Sequence, residues 1–156
     1  MHHHRLVFVG GLHHSGTSLL ARYLGQHPSI AALRNTGVTE DEGERLQTVY
    51  PSAQSLGGPG QFGFDPKAHL TEESELVSDE NRARLMAEWG RHWDFGKPML
   101  VEQSPSNLLK MRFLQALFSD SRFVVVIRNP IPVTWKTHKL SRIEIDPAME
   151  HWALCH

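Results

Sequence analysis

The stretch that most constrains the fold is RLVFVGGLHHSGTSLLARYLG, residues 5–25. Residues 5–11 are a short apolar run ending in paired glycines, the pattern of a strand buried on both faces of a parallel sheet. From Gly16 the spacing turns helical, with Leu19, Leu20, Tyr23 and Leu24 on one face, and GQHP at 25–28 ends the helix. Between them, Gly11 and Gly16 have the G-x-x-x-x-G spacing of a phosphate-binding loop. The next position, which carries a lysine in nucleoside triphosphatases, is Thr17.

Strands and helices alternate along the rest of the chain. SIAALRN, 29–35, predicts a short strand, and TEDEGERLQTVY, 39–50, a helix entered through polar residues. Residues 51–66 are rich in Gly and Pro and predict loop. Residues 78–95 predict a helix with Leu85, Trp89 and Trp93 at i, i+4 and i+8 and Ser78 or Asp79 as N-cap. KPMLVE, 97–102, reads as a third strand, residues 104–118 as an amphipathic helix, and RFVVVIR, 122–128, as the most strongly patterned strand. Residues 129–140 predict a helix after their prolines, and DPAMEHWALCH, 146–156, another. This alternation indicates an α/β domain with a mostly parallel sheet.

Composition narrows the function. A chain of 156 residues with 40% hydrophobic and 21% charged residues fits one soluble domain over 1–156. Its formal net charge of −1 provides no global attraction to nucleic acid or an anionic membrane, so any anion site is local. The single cysteine, Cys155, excludes an internal disulfide and a Cys-based zinc cage. No apolar run has the length of a membrane span or the core of a signal peptide, and the expected compartment is the cytoplasm. Among eleven histidines, His13, His14 and His138 follow no metal-ligand spacing, and no metal is expected. MHHH at 1–4 is either a shortened tag or native sequence and carries no weight. The last helix ends without a C-cap, with Ala148, Trp152 and Cys155 in need of packing partners, so the chain reads as the front part of a larger domain.

An anion site survives without the lysine. Backbone N–H groups of 14–18 point into the loop, the helix N-terminus adds about half a positive charge, and Ser15, Thr17 and Ser18 supply hydroxyls. Gly16 lets the backbone approach a tetrahedral anion. Thr17 does not replace the lysine's charge, so a triphosphate fits less well than a less charged anhydride. Arg128 ends a strand before a chain-turning Asn-Pro, and ligands of parallel sheets sit outside the strands' carboxyl ends. Arg128 and the loop are therefore expected to share a crevice, with Thr134 and Thr137 on the next helix as hydroxyl donors. Two such sites suit one ligand with two separated anionic groups.

At this point the residues resemble a known family. FVGGLHHSGTSLLARYLGQHP resembles the 5′-phosphosulfate loop of the sulfotransferases, RFVVVIRNP their 3′-phosphate motif, and VEQSPSNLL the segment between them. EDEGERLQTVYP and GGPGQFGFDP are similar to the bacterial branch. The resemblance implies an α/β, three-layer P-loop-like domain, incomplete at its C-terminal side. It also implies sulfuryl transfer from 3′-phosphoadenosine 5′-phosphosulfate (PAPS) to a hydroxyl or amine, releasing PAP, without metal. His13, His14, Ser15, Gly16, Thr17 and Ser18 would bind the phosphosulfate, and Arg128 with Thr137 the 3′-phosphate.

Several positions depart from the family pattern. His14 replaces the usual Arg or Lys before Ser-Gly-Thr, and either a protonated ring or a neutral ring donating one hydrogen bond would polarise the bridging oxygen. Lys136 stands where a serine is common, and Gln103 where a lysine is common. Glu40 or Glu42 is the expected general base, with Glu102 as the alternative. The loop at 51–66 with Trp89 and Trp93 is expected at the acceptor, which is a small molecule, carbohydrate or lipid. The competing readings are a truncated or inactive PAP-binding module and a divergent P-loop kinase.

Overall fold

The computed structural model describes residues 4–156; most of the MHHH segment lies outside the described residues. Four strands form one parallel sheet: β1 (Arg5–Gly10), β2 (Ile30–Ala32), β3 (Met99–Gln103) and β4 (Arg122–Val125), in the order β2-β3-β1-β4. Val7 of β1 lies opposite Val101 on one side and Arg122 on the other.

Alternate residues of β1 feed two separate cores. Leu6 and Phe8 pack with Leu85 and Trp89 of α2 (Asp79–Gly90) and with Phe113, Leu114 and Leu117 of α3 (Met111–Leu117). Val7 and Val9 pack with Leu20, Ala21 and Leu24 of α1 (Thr17–Leu24) on the opposite face. The sheet is thus the middle of three layers, as its apolar strand runs imply. No helix among the described residues is long and apolar enough to cross a membrane.

Three helix expectations change. Residues 39–50 form two short 3-10 turns, Thr39–Asp41 and Gly43–Arg45, with Glu40 and Asp41 at φ 55°. Tertiary contacts override helical propensity there. A Cβ on Gly43 would collide with the Glu102 carboxylate, Glu44 is drawn inward to the Ala53 N–H (3.1 Å), and Asp41 accepts from the N–H and hydroxyl of Thr36. The expected helix over 104–118 divides into a 3-10 segment, Pro105–Leu109, and α3, because Asn107 is pulled down to Val9 O (3.1 Å) and the Glu102 carboxylate. Ser78 is the N-cap of α2, accepting from Asn81 N at 3.2 Å. The helix stops at Gly90, yet Trp93 stays in the core, donating its indole N–H to Val101 O at 3.0 Å.

The apolar segment 122–128 is in strand only to Val125 and lies at the sheet's edge, with Val124 and Val125 each 38% and Ile127 65% exposed. α4 (Pro130–Ser141) starts at Asn129, whose side chain accepts from Ile131 N, and packs against α5 (Ile145–Cys155). Ala148 and Cys155 are buried, Cys155 in a cluster with Leu12, Phe62 and Val133. The expected loop at 51–66 carries short 3-10 turns at Gln54–Leu56 and Phe62–Phe64 and another starting at Pro66, and with Ala68 it buries Ala53 and Phe62 in a third core shared with Leu12, Val133 and Cys155.

Candidate functional site

Because β1 lies between β3 and β4, the loops leaving all three carboxyl ends gather at one edge of the sheet. They enclose a cleft of about 470 Å³ with the 11–16 loop at its base. A Cβ on Gly11 would sit 2.5 Å from Val126 O, so only glycine lets this loop lie against the end of β4. Gly16 precedes α1 at φ 106°, ψ 14° and faces open space. Its lack of a side chain leaves the N–H groups of the helix's first turn open to the cleft.

Three consecutive residues of this loop carry buried polar atoms without a hydrogen-bond partner: His13 Nδ1, His14 Nε2 and Ser15 Oγ. Thr17, at the missing lysine's position, accepts a hydrogen bond from Gln103 Nε2 (3.1 Å), which leaves its own hydroxyl proton to donate. His14 is held in the left-handed region at φ 68°, and its carbonyl accepts from Arg128 Nη1 at 2.9 Å. Arg128 and the loop therefore share the crevice. Lys136 of α4 also lines it, and neither cation is paired with a carboxylate among the described residues.

Both loop histidines are held neutral. Burial, reinforced by the Lys136 and Arg128 cations, keeps His14 below its ordinary value. Burial and the neighbouring His14 bring His13 down to about 3, and its ring stands edge-on to Phe62. Of the two states the sequence allows for His14, burial beside Lys136 and Arg128 favours the neutral ring.

Glu40 and Glu42 line the cleft. Glu40 is exposed and pairs with Arg22 at 3.2 Å; Glu42 is buried, pairs with Arg45 at 2.8 Å, and is pushed up by desolvation against that pairing. Glu102 is no candidate base. It is fully buried beneath Gly43, closed in by Ser104 and Asn107, and raised to about 7 by desolvation.

Other expectations are also redirected. Thr137 is buried in a separate small cavity beside Leu12, His13, Gly60 and His151, because one helical step turns it away from Lys136. Thr134 donates to the carbonyls of Pro130 (2.8 Å) and Ile131 (3.2 Å) of its own helix. Trp89 and Trp93 belong to the core, and the 51–66 segment contributes Gln54 and Pro59 to the cleft. Sequence reasoning missed Arg22 and Arg45; the i,i+3 spacing of Glu42 and Arg45 was the available signal. It also missed a buried network in which Ser106 donates to Glu44 and Lys110 lies 4.0 Å from Glu44 and over the Tyr50 ring.

A parallel α/β sheet whose first loop presents unpartnered polar groups at a helix N-terminus, faced by two cations, is the architecture of a P-loop-like α/β domain. Residues 7–153 match the Sulfotransferase family, and the chain belongs to that family. It is similar to Nodulation protein NoeE of Sinorhizobium fredii (strain NBRC 101917 / NGR234), 24% identical over 130 residues, covering 82% of this chain and 30% of that protein. It is also similar to human Protein-tyrosine sulfotransferase 1, 25% identical over 127 residues, covering 80% of this chain and 31% of that protein. The chain thus spans less than a third of the length of these relatives.

Proposed function

We propose that the chain carries the donor site of a sulfotransferase that moves a sulfuryl group from PAPS to a hydroxyl or amine. The observation that supports this reading is the row of unpartnered buried atoms on His13, His14 and Ser15 at the N-terminus of α1. Leaving buried polar groups unpaired costs about 1–3 kcal/mol each, and a bound anion with several oxygens relieves that cost. The phosphosulfate is assigned to Ser15, Gly16, Thr17, Ser18 and the neighbouring histidines. A phosphosulfate carries less charge than a triphosphate, which accounts for a loop without lysine.

The 3′-phosphate is assigned to Arg128, with Lys136 in the part the sequence suggested for Thr137. The donor supplies an activated sulfur, and the chain's residues position it and stabilise charge on the departing phosphate oxygen. A neutral His14 serves there as hydrogen-bond donor. As the acceptor's oxygen or nitrogen bonds to sulfur and the sulfur–oxygen bond to phosphate breaks, Glu40 or Glu42 takes the acceptor's proton.

Calorimetry with PAP tests the donor site. Residues 1–156 should bind PAP saturably, Arg128→Ala should weaken binding tenfold or more through loss of a charge-assisted contact, and ATP–Mg²⁺ should not match it. No PAP binding, or tighter ATP–Mg²⁺ binding, would overturn the assignment.

A further inference from the structure

Three segments far apart in the chain supply one part of the cleft's wall. Residues 39–45 carry Glu42 and Arg45, residues 51–54 end in Gln54, and residues 104–110 contribute Pro105. None of them contains a residue assigned above to the sulfuryl donor. All three converge on a single side chain, that of Glu44, which is 2% exposed.

Three hydrogen bonds of Glu44 reach residues that flank the cleft lining. Its Oε1 accepts from the Ala53 N–H at 3.1 Å, one residue before Gln54. Its Oε2 accepts from Ser106 Oγ, and its N–H donates to Ser104 Oγ at 2.9 Å, so Pro105 is held on both sides. Lys110 closes the network. Its Nζ donates to Ser106 Oγ at 2.6 Å and to Pro51 O at 3.4 Å, and stands 4.0 Å from Glu44 Oε2, with both side chains of this ion pair fully buried. Gly43, next to Glu44, is fixed as well: its carbonyl accepts from the Trp89 indole N–H at 2.9 Å, and the Glu102 carboxylate leaves no room for a Cβ.

Stability alone does not account for such a network. Desolvating two charges costs about what their attraction returns, and apolar residues of similar volume often stabilise as well or better. A fully hydrogen-bonded ion pair adds direction, because its oxygens and protons are satisfied in one geometry. We propose that Glu44, with Ser106 and Lys110, is the positioning group for this part of the cleft, holding Glu42 and Arg45 in register with Gln54 and Pro105. Its meaning for catalysis rests on the sulfotransferase reading above, in which Glu40 or Glu42 takes the acceptor's proton. Glu44 acts through the segment that carries both carboxylates and touches neither donor nor acceptor.

The test is Ser106→Ala in residues 1–156, with the Glu42 carboxyl titrated by carbon-13 NMR beside urea midpoints and PAP calorimetry. Burial holds Glu42 above the ordinary carboxylate range, and the Glu44 charge adds to that rise. Ser106→Ala keeps the charges of Glu44 and Lys110 and cuts the hydroxyl that joins them. The loosened segment should admit water, and the Glu42 midpoint should fall by about 0.5 pH or more. PAP affinity should change by less than about twofold. A group that only stabilised the fold would lower the urea midpoint and leave the Glu42 titration in place; that result overturns the proposal. A loss of PAP affinity of about fivefold or more also overturns it, since the network would then support the 11–18 loop. If Ser106→Ala does not fold, Ser104→Ala, which cuts the bond to the Glu44 N–H and also keeps both charges, decides by the same readouts. Absence of PAP binding in the unsubstituted chain overturns the donor-site reading instead, and the Glu42 titration still decides the positioning role.

Discussion

Two glycines of the 11–16 loop serve different physical ends, and substitution separates them. Gly16 sits at φ 106° with open space where a methyl group would stand, so Gly16→Ala incurs only backbone strain, about 1–2 kcal/mol. Gly11→Ala must also push its methyl off Val126 O at 2.5 Å and Thr17 Cγ2 at 2.9 Å, and should destabilise more. Urea denaturation of both variants tests the order, and equal losses would contradict the close approach. His14 takes a left-handed conformation without being glycine. That strain, of order 1–2 kcal/mol, turns its carbonyl to Arg128 within the cleft.

At the level of elements, β4 is unusual for a strand in a parallel sheet. Val124, Val125 and Ile127 are exposed, and Ile131, Trp135 and Leu140 on α4 are exposed as well. Exposed apolar groups of this kind attract hydrophobic dyes. Residues 1–156 should bind such a dye, and Ile127→Lys should reduce its fluorescence while changing stability by no more than about 0.5 kcal/mol, since Ile127 is mostly exposed. Unchanged fluorescence would show that this face is not the dye's site. The short turns at 39–45 make the opposite case, because buried contacts rather than local propensity set their shape.

Across the whole molecule, buried titratable groups set the dependence of stability on pH. His151 is fully buried, accepts from Gly63 N–H at 3.0 Å, and is brought down to about 4 by desolvation; His13 is brought down to about 3. The unfolded chain protonates both near 6.5, so their contribution is fully present above that value and is lost as pH falls toward 4. Glu102, raised to about 7, works in the opposite sense, its contribution being lost as pH rises from about 4.5 to 7, and Glu42 adds to that side. Two histidines against one strongly shifted carboxyl leave a net rise in stability from pH 4.5 to 6.5 of up to about 1.4 kcal/mol per unit. Urea midpoints across that range should show the rise. His151→Gln, which keeps an acceptor for Gly63, should bring it to zero or below.

Strand-to-helix alternation, the glycine spacing at 11 and 16, and the apolar pattern of α2 were legible in the sequence because each depends on backbone period or on one residue's conformational freedom. The nearness of Arg128 to the loop followed from the rule that strand ends share an edge. The turns at 39–45, the burial of Glu102, the turning away of Thr137 and the bridge from Gln103 to Thr17 were not legible, because each depends on which distant backbone comes within a few ångströms. Local sequence determined the framework and the glycine-bounded loop at the head of α1. Only packing between segments far apart in the chain decided which side chains face the cleft and which are sealed beneath it, since burial is a property of the assembled layers and not of any one of them.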